Sequence, residues 1–445
     1  VKVIVVGLGE VGLHVARTLS AERHAVTVVE QDPGRAEALQ SELDALVVLG
    51  NGASPRFLKE VGADDADLVV AVTASDESNV ITALAAHQLG AGKTVARVRD
   101  PDYFGEDEGF ARDVLGIDFV IHPERATAED LAEAILLPGA VHVEHFGNGR
   151  VAVAECVVSD RSPLIGRAIR ERRAALPHQI VGLIRDTRVV AAEPGLRPRA
   201  GDHIIVAAAR EDIGSVVSHI AGHTRQVRDV VIFGGGRIGL PLAKRLEATG
   251  KFDVTVMESE IERAREVAEV LRRATVLHEE GIGKDALLAH GVDQAGAFVA
   301  AAGDDRANLL AALNAKQLGA GLSLAVVSRE EYTPLVDALH IDAGFSPRLV
   351  TAEAILRVVR GDNVEAIHLL LGGGELTDVT VDAGCKADGK SIKAAESLAT
   401  TRVAAVVRRD RVLFPADCEA VQAGDRVITF NARRGTSAIA AAFDA

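Results

Sequence analysis

The chain has 445 residues, nearly half of them hydrophobic, and a formal net charge of −15. That length accommodates two to four domains of roughly 100–200 residues, and the acidic balance argues against a nucleic-acid-binding surface. Charged residues interrupt every apolar run before it reaches the ~18 residues of a membrane span, and no secretion signal is visible, so a soluble protein is expected. Tryptophan is absent, and Cys156, Cys385 and Cys418 are too scattered for a metal or redox motif. Buried thiols in a reducing cytosol account for them.

The first twelve residues read VKVIVVGLGEVG. Val3 to Val6 is an unbroken apolar run, as in a strand buried on both faces of a parallel sheet. It ends in Gly7-x-Gly9-x-x-Gly12, and a helical pattern (Val11, Val15, Leu19) follows at once. In such a fingerprint Gly7 permits the tight turn, Gly9 lets a pyrophosphate approach the backbone, and Gly12 lets helix and strand pack closely. The amides of Glu10, Val11 and Gly12 at the helix start then face the phosphates, aided by the helix dipole. A second apolar run, Ala25 to Val29, ends in Glu30, 23 residues after Gly7. This is near the spacing of the acid that hydrogen-bonds a ribose hydroxyl.

Further along, helices are predicted over Arg35–Leu43, Pro55–Val61 and Glu77–Leu89, and strands over Ala45–Leu49, Leu68–Val72, Thr94–Val98 and Phe119–Ile121. This alternation predicts a doubly wound parallel sheet, whose ligands sit beyond the carboxyl ends of the strands. Asn51 and Thr73 stand at two such ends. Asn51 reads either as an adenine-edge contact or as a local turn residue. Thr73 offers a ligand-facing hydroxyl or an N-cap. Helix capping alone explains Asp76. Of Arg97 and Arg99, one reaches a phosphate or both are solvated. Glu124–Leu136 is a helix with one apolar face, which either covers its own domain or crosses to a partner. A smaller strand-rich domain follows from Val141, with one helix expected over Leu164–Arg173. His142 and His145, three apart on a strand, point to opposite faces and make no metal site.

The chain then repeats itself. VVIFGGGRIG (Val230–Gly239) repeats the strand and fingerprint through Gly234, Gly236 and Gly239. VTVME ends in Glu258 as VTVVE ends in Glu30, and VAAAGDDRAN (Val299–Asn308) matches VAVTASDESN (Val70–Asn79). The offset between copies runs from 224 (His122 to Ser346) to 229 (Gln88 to Gln317). RAGDHIIV at Arg199 and QAGDRVITF at Gln422 extend the repeat into the small domains. The fold expected is α/β: two tandem Rossmann-like doubly wound parallel sheets, each followed by a small α+β domain. Boundaries fall at 1–138, 139–225, 226–362 and 363–445.

Copy two departs in ways that matter chemically. Ala302 replaces Thr73, His278-Glu279-Glu280-Gly281 replaces the Gly50-Asn51-Gly52 turn, and Arg237, before Ile238, stands where copy one has Glu10. An arginine beside a phosphate loop favours extra phosphate charge and a glutamate disfavours it. Either the two sites prefer different nucleotides or one holds none; the alternative is that both side chains merely face solvent.

GLGEVG (Gly7–Gly12), Glu30, AVTASDESN (Ala71–Asn79), VARV (Val95–Val98) and GGGRIG (Gly234–Gly239) together resemble the TrkA family, the cytoplasmic subunits of bacterial Trk potassium uptake systems, built from two RCK units (TrkA-N plus TrkA-C, or RCK-C). The resemblance implies NAD(H) and adenine-nucleotide (ATP or ADP) binding, a homo-oligomeric ring, expected to be tetrameric, and regulation of a TrkH-like membrane potassium transporter subunit. It also implies a cytoplasmic protein held at the inner membrane face by that partner, with no nucleic acid involved. Related single-unit RCK proteins place a loop arginine on ATP phosphates, which matches Arg237. The contrasting reading is an NAD-dependent dehydrogenase. That chemistry needs an oriented acid–base residue, yet His122 and His178 are isolated and have Ser346 and Thr400 as counterparts. A non-enzyme is therefore expected.

Overall fold

The computed structural model describes the chain except residues 41–42, 101–102, 104–107, 138, 170–175, 187, 223–226, 360–363, 371–373, 433–438, 440–441 and 444–445. The first half opens with β1 (Lys2–Val6), α1 (Glu10–Ala21), β2 (Ala25–Glu30), α2 (Pro33–Gln40), β3 (Leu46–Leu49), α3 (Pro55–Glu60), β4 (Leu68–Ala71), α4 (Asp76–Leu89), β5 (Lys93–Arg97), α5 (Glu108–Asp113), β6 (Phe119–Ile121) and α6 (Pro123–Leu136). Its small domain comprises β7 (Ala140–Phe146), β8 (Val151–Val157), β9 (His178–Arg185), β10 (Arg188–Ala191), β11 (His203–Ala209) and α7 (Ile213–Ala221).

The second half repeats the order. It runs β12 (Asp229–Phe233), α8 (Gly239–Thr249), β13 (Asp253–Glu258), α9 (Ile261–Val270), β14 (Thr275–His278), α10 (Lys284–Ala289), β15 (Ala297–Ala300), α11 (Asp305–Leu318), β16 (Ser323–Val326), α12 (Thr333–Ala338), β17 (Ala343–Phe345) and α13 (Pro347–Val359). The closing small domain has β18 (Val364–Leu369), β19 (Glu375–Thr380), α14 (Ile392–Ala399), β20 (Arg402–Arg408), β21 (Arg411–Leu413) and β22 (Arg426–Asn431).

Both large sheets are six-stranded and parallel, in the orders β3-β2-β1-β4-β5-β6 and β14-β13-β12-β15-β16-β17. The direction of strand order reverses beside β1 and β12, so the glycine loops leave at the switch point where a crevice opens. Val3–Val6 are almost wholly buried, as their unbroken apolar run requires.

The helix after each last strand settles the alternative posed by its apolar face. Ala128, Leu131, Ala132 and Ile135 of α6 enter the core of the second parallel-sheet module, beside Val230, Leu242 and Leu246. Arg245 of α8 pairs with Glu129 of α6 at 2.9 Å. Conversely, α13 belongs with residues 1–124 as one compact unit and packs on α1. Each large module is thus completed by a helix from the other half. Burying Leu131 and Ile135 stabilises this arrangement by roughly 1.5–3 kcal/mol per side chain.

The small domains carry five-stranded antiparallel sheets with matching orders, β10-β9-β11-β8-β7 and β21-β20-β22-β19-β18. Phe146, Val153 and Ile205 of one sheet share a core with Ile428, Phe430 and Val407 of the other. Beside this core the Asp378 carboxylate is fully buried; it accepts a 2.7 Å bond from the Gly147 amide and pairs with Arg426.

Two expectations need adjustment. The helix over Arg35–Leu43 is α2, which ends at Gln40; residues 41–42 lie outside the described residues. The helix over Leu164–Arg173 is absent over 164–168, where the chain makes turns around Pro163 and Gly166; Ile169 is in a 3-10 conformation and residues 170–173 lie outside the described residues. Instead α7 covers the first small sheet, packing Ile213, Val216, Val217 and Ile220 into its core.

Candidate functional site: two glycine cradles

Gly7 adopts φ +102°, a left-handed conformation that favours glycine, and a side chain there would strike the Thr73 backbone at 2.9 Å. Gly234 repeats this with φ +100° against Ala302. A Cβ on Gly12 would lie 1.8 Å from the Gly7 carbonyl oxygen, and one on Gly239 equally close to that of Gly234. These glycines let helix and loop touch. Gly9 and Gly236 differ: nothing lies within 4 Å of where a Cβ would be. The absent side chain there leaves open room in front of the backbone, which fits a pyrophosphate. Gly9 is the N-cap of α1, so the amides of Glu10, Val11 and Gly12 are the unsatisfied first-turn donors that such an anion needs.

Glu30 is buried and organises this loop. One carboxylate oxygen accepts the Leu8 amide at 2.8 Å; the other accepts those of Gln31 and Asp32 at 2.7 and 2.9 Å. Glu258 does the same for Gly235 and Glu260, at 2.7 and 3.0 Å. Three of the roughly four lone-pair positions of Glu30 are therefore taken by the protein, leaving about one for a ribose hydroxyl.

Thr73 sits directly against Gly7, and its hydroxyl donates to the Asn79 side-chain oxygen at 2.7 Å. It is not the helix cap. Ser75 caps α4 by accepting from the Ser78 amide at 3.1 Å, and Asp304 caps α11 in the same way. Asp76 does more than capping explains: its buried carboxylate accepts the Arg99 and Asp100 amides at 3.0 and 2.9 Å and pairs with the Arg99 side chain. That engagement separates the two arginines. Arg99 is held by Asp76, whereas Arg97 donates to the Thr73 carbonyl at 2.7 Å and keeps its Nε buried without a hydrogen-bond partner. Burial, then the nearby Arg99 charge, hold the Arg97 pKa below its ordinary value.

Asn51 is exposed, and its side-chain oxygen closes a local turn by accepting the Ala53 amide at 3.0 Å, which leaves its amide hydrogens and one lone pair of that oxygen for a ligand. In copy two, Glu279 is turned to its own loop and to His290 at 3.0 Å. Glu10 and Arg237 are both exposed, while Val11 and Ile238 are buried beneath the loops and contribute only backbone amides outward.

The sequence reading passed over the role of one pair. Asn79 is fully buried and bridges Thr73 to the end of β5: its oxygen accepts the Thr73 amide at 2.7 Å and its amide donates to Thr73 and Arg97 carbonyls at 3.1 and 2.8 Å. Asn308 repeats the bridge between Ala302 and Val326. Its recurrence at the same offset was the available signal. His122 is similarly occupied, its Nδ1 2.8 Å from the Val98 carbonyl. Among the described residues no group of histidines, cysteines and carboxylates has metal-binding geometry, and no helix is long and apolar enough to cross a membrane.

The TrkA-N domain family matches residues 3–123 and 230–347, the two segments that carry the cradles. The Trk system potassium uptake protein TrkA of Azorhizobium caulinodans is 33% identical over 438 residues, covering 96% of this chain and 95% of that protein. The protein of the same name from Halomonas elongata is 33% identical over 443 residues, with the same coverage. Among solved structures, the GsuK channel bound to NAD aligns with a TM-score of 0.63 at 18% identity, covering all of this chain and 78% of that one, a likeness of fold. Two tandem cradles, two paired small sheets and this extent of similarity place the chain in one family: it belongs to the TrkA family of Trk system potassium uptake proteins.

Proposed function

We propose that the chain is a cytoplasmic regulatory subunit that reads nucleotides and gates a membrane potassium-translocating partner by conformational change, without catalysing a reaction. The observation that carries this reading is the open room at Gly9 and Gly236 within cradles otherwise closed by backbone contacts. On this reading, NAD(H) occupies the first cradle through Gly7, Gly9, Glu10, Val11, Gly12, Glu30, Thr73 and Arg97, with Asn51 beside the base. The second, through Gly234, Gly236, Arg237, Ile238, Gly239 and Glu258, takes a nucleotide of higher phosphate charge such as ATP or ADP. Residues 1–138 and 226–362 are the nucleotide-binding modules, and 139–225 and 363–445 the pairing modules. When bound, the nucleotide supplies negative charge and an adenosine surface; the protein supplies amides, an acid and a shaped crevice.

The mechanism is a population shift. Only a difference in nucleotide affinity between two arrangements moves the gate, and tight binding by itself does not. The exchanged helices α6 and α13 couple each cradle's module to the other half, which supports transmission. The partner is a TrkH-like membrane subunit, and the chain works as a homo-oligomeric ring, read as a tetramer, at the inner membrane face.

The test has two parts. Purified protein should bind NADH and ATP saturably without oxidising common hydroxy or amino acids; steady turnover of such a substrate overturns the regulatory reading in favour of a dehydrogenase. Potassium flux through the reconstituted partner should then depend on nucleotide, and flux indifferent to it defeats the gating claim.

A further inference from the structure

The face of the first small sheet that packs on its sister sheet changes character at one end. There β7, β8 and β11 present His142, Glu155 and His203, beside a cavity of about 670 Å³ within the second compact unit. The other wall comes from the second nucleotide-binding module. His203 Nδ1 lies 2.6 Å from a Glu155 oxygen, and the two side chains are 19% and 9% exposed. Every packed element brings a titratable or charged group to this pair. His142 comes from β7, its ring 4.3 Å from that of Phe345, and His368 from β18, held by Glu144 at 3.3 Å. Asp337 comes from α12 with His340 just beyond it, and Lys316 of α11 pairs with Asp342 at 2.6 Å. Arg185 of β9 is paired with Asp202, and Asp186 and Arg199 complete the rim.

The internal repeat supplies the comparison. Glu155 pairs in register with Ile205 across β8 and β11, and Asp378 pairs with Ile428 across β19 and β22. His203 faces Val157, and Arg426 faces Thr380. Glu155–His203 and Asp378–Arg426 therefore occupy the same place in the two copies. The neighbouring bridge is unchanged between copies, Arg185–Asp202 matching Arg408–Asp425. At one position only, a base that always keeps its proton is replaced by one that loses it near neutrality.

We propose that the Glu155–His203 pair is a proton-operated latch across β8 and β11, on the cavity wall that faces the second nucleotide-binding module, closed when the imidazole is protonated and loosened when it is neutral, with Asp378–Arg426 as its pH-invariant counterpart. Burial opposes the imidazolium, but the hydrogen bond and charge of Glu155 outweigh it, so the His203 pKa lies above its ordinary value. The Glu155 carboxyl is pushed up by burial and pulled down further by His203, and ends below its ordinary value. The latch is thus complete below the ordinary imidazole pKa of about 6.5 and is lost as pH rises through the raised one. His142, pushed by burial to about 4, stays neutral across that window. Burial raises the Asp337 carboxyl, which His203 and Glu155 pull in opposite directions.

Hydrogen exchange of the full chain between pH 6.5 and 9, corrected for intrinsic rates, tests the latch. Protection over residues 153–158 and 203–209 should fall with rising pH, by about tenfold for each unit the His203 pKa is displaced. Protection across β19 and β22 should stay constant. His203→Arg should keep β8 and β11 protected at every pH, and Glu155→Gln should flatten the pH dependence at a lower level. In the unsubstituted chain, the His203 ring resonance should titrate at the midpoint of the protection loss. A flat wild-type profile, a slope retained in both variants, or a His203 midpoint away from that loss overturns the proposal.

Discussion

The two kinds of glycine in the first cradle make opposite demands, and one pair of substitutions separates them. Gly9→Asp places a side chain where nothing lies within 4 Å, at an N-cap position where aspartate is among the preferred residues. Folding stability should therefore stay within about 0.5 kcal/mol of the parent. Binding should not survive so well. A carboxylate about 4 Å from one phosphate charge costs ~1 kcal/mol in water-like surroundings and ~4 kcal/mol at an effective dielectric of about 20. That corresponds to a loss of roughly fivefold to a thousandfold in affinity, before the steric block is counted. Gly12→Ala does the reverse. Its methyl would lie 1.8 Å from the Gly7 carbonyl oxygen, a backbone atom that moves only if α1 leaves the loop. The expected loss is about 1–3 kcal/mol of stability, the usual scale of overpacking. Urea unfolding and calorimetric titration with NADH on the same preparations provide the assay. Unchanged NADH affinity in Gly9→Asp, with the fold intact, refutes the placement of the phosphates; intact stability in Gly12→Ala refutes the packing argument.

Other outcomes follow from single contacts. Asp378→Ala leaves the Gly147 amide unpartnered and Arg426 without its carboxylate, with the Asn148 side-chain oxygen as a neutral acceptor, beside the shared core of the small sheets, and urea unfolding should show about 3–5 kcal/mol of destabilisation. Asn79→Ala strands the Thr73 amide and removes the side-chain donor to the Arg97 carbonyl, while Arg97 still serves the Thr73 carbonyl; a cost of about 1–3 kcal/mol is expected, with weaker nucleotide binding at the first cradle than in Asn308→Ala. His142 has its pKa depressed to about 4, so the unfolded chain binds its proton first and the folded state loses stability as pH falls from about 6.5 toward 4. The loss amounts to about 3 kcal/mol, and His142→Gln should show a correspondingly shallower acid limb in thermal melts.

Much of this organisation was legible along the chain. The apolar runs into Gly7 and Gly234, the acids at Glu30 and Glu258, and the nearly constant offset between copies are local or periodic signals, and each corresponds to a strand, loop or helix in the structure. Side chains whose partners lie far away were not legible. Asp76 looked like a first-turn acid because its real partners, the Arg99 and Asp100 amides, lie over twenty residues on. Asn79 looked like a helix-start residue because bridging two strand ends has no sequence period. The helix expected over Leu164–Arg173 was misplaced, and the helix that covers the sheet is the segment Ile213–Ala221.

The order of hydrophobic and glycine positions was sufficient to determine two parallel sheets, two cradles and their duplication, because strand burial and tight turns are demanded by neighbouring residues. Which module each terminal helix completes was decided only in three dimensions. The apolar face of α6 reads the same along the chain whichever sheet it covers, and only the fold shows it entering the core with Val230, Leu242 and Leu246. The same holds for Glu155–His203: a histidine in a strand is an ordinary residue until folding removes its water and places a carboxylate 2.6 Å from its ring.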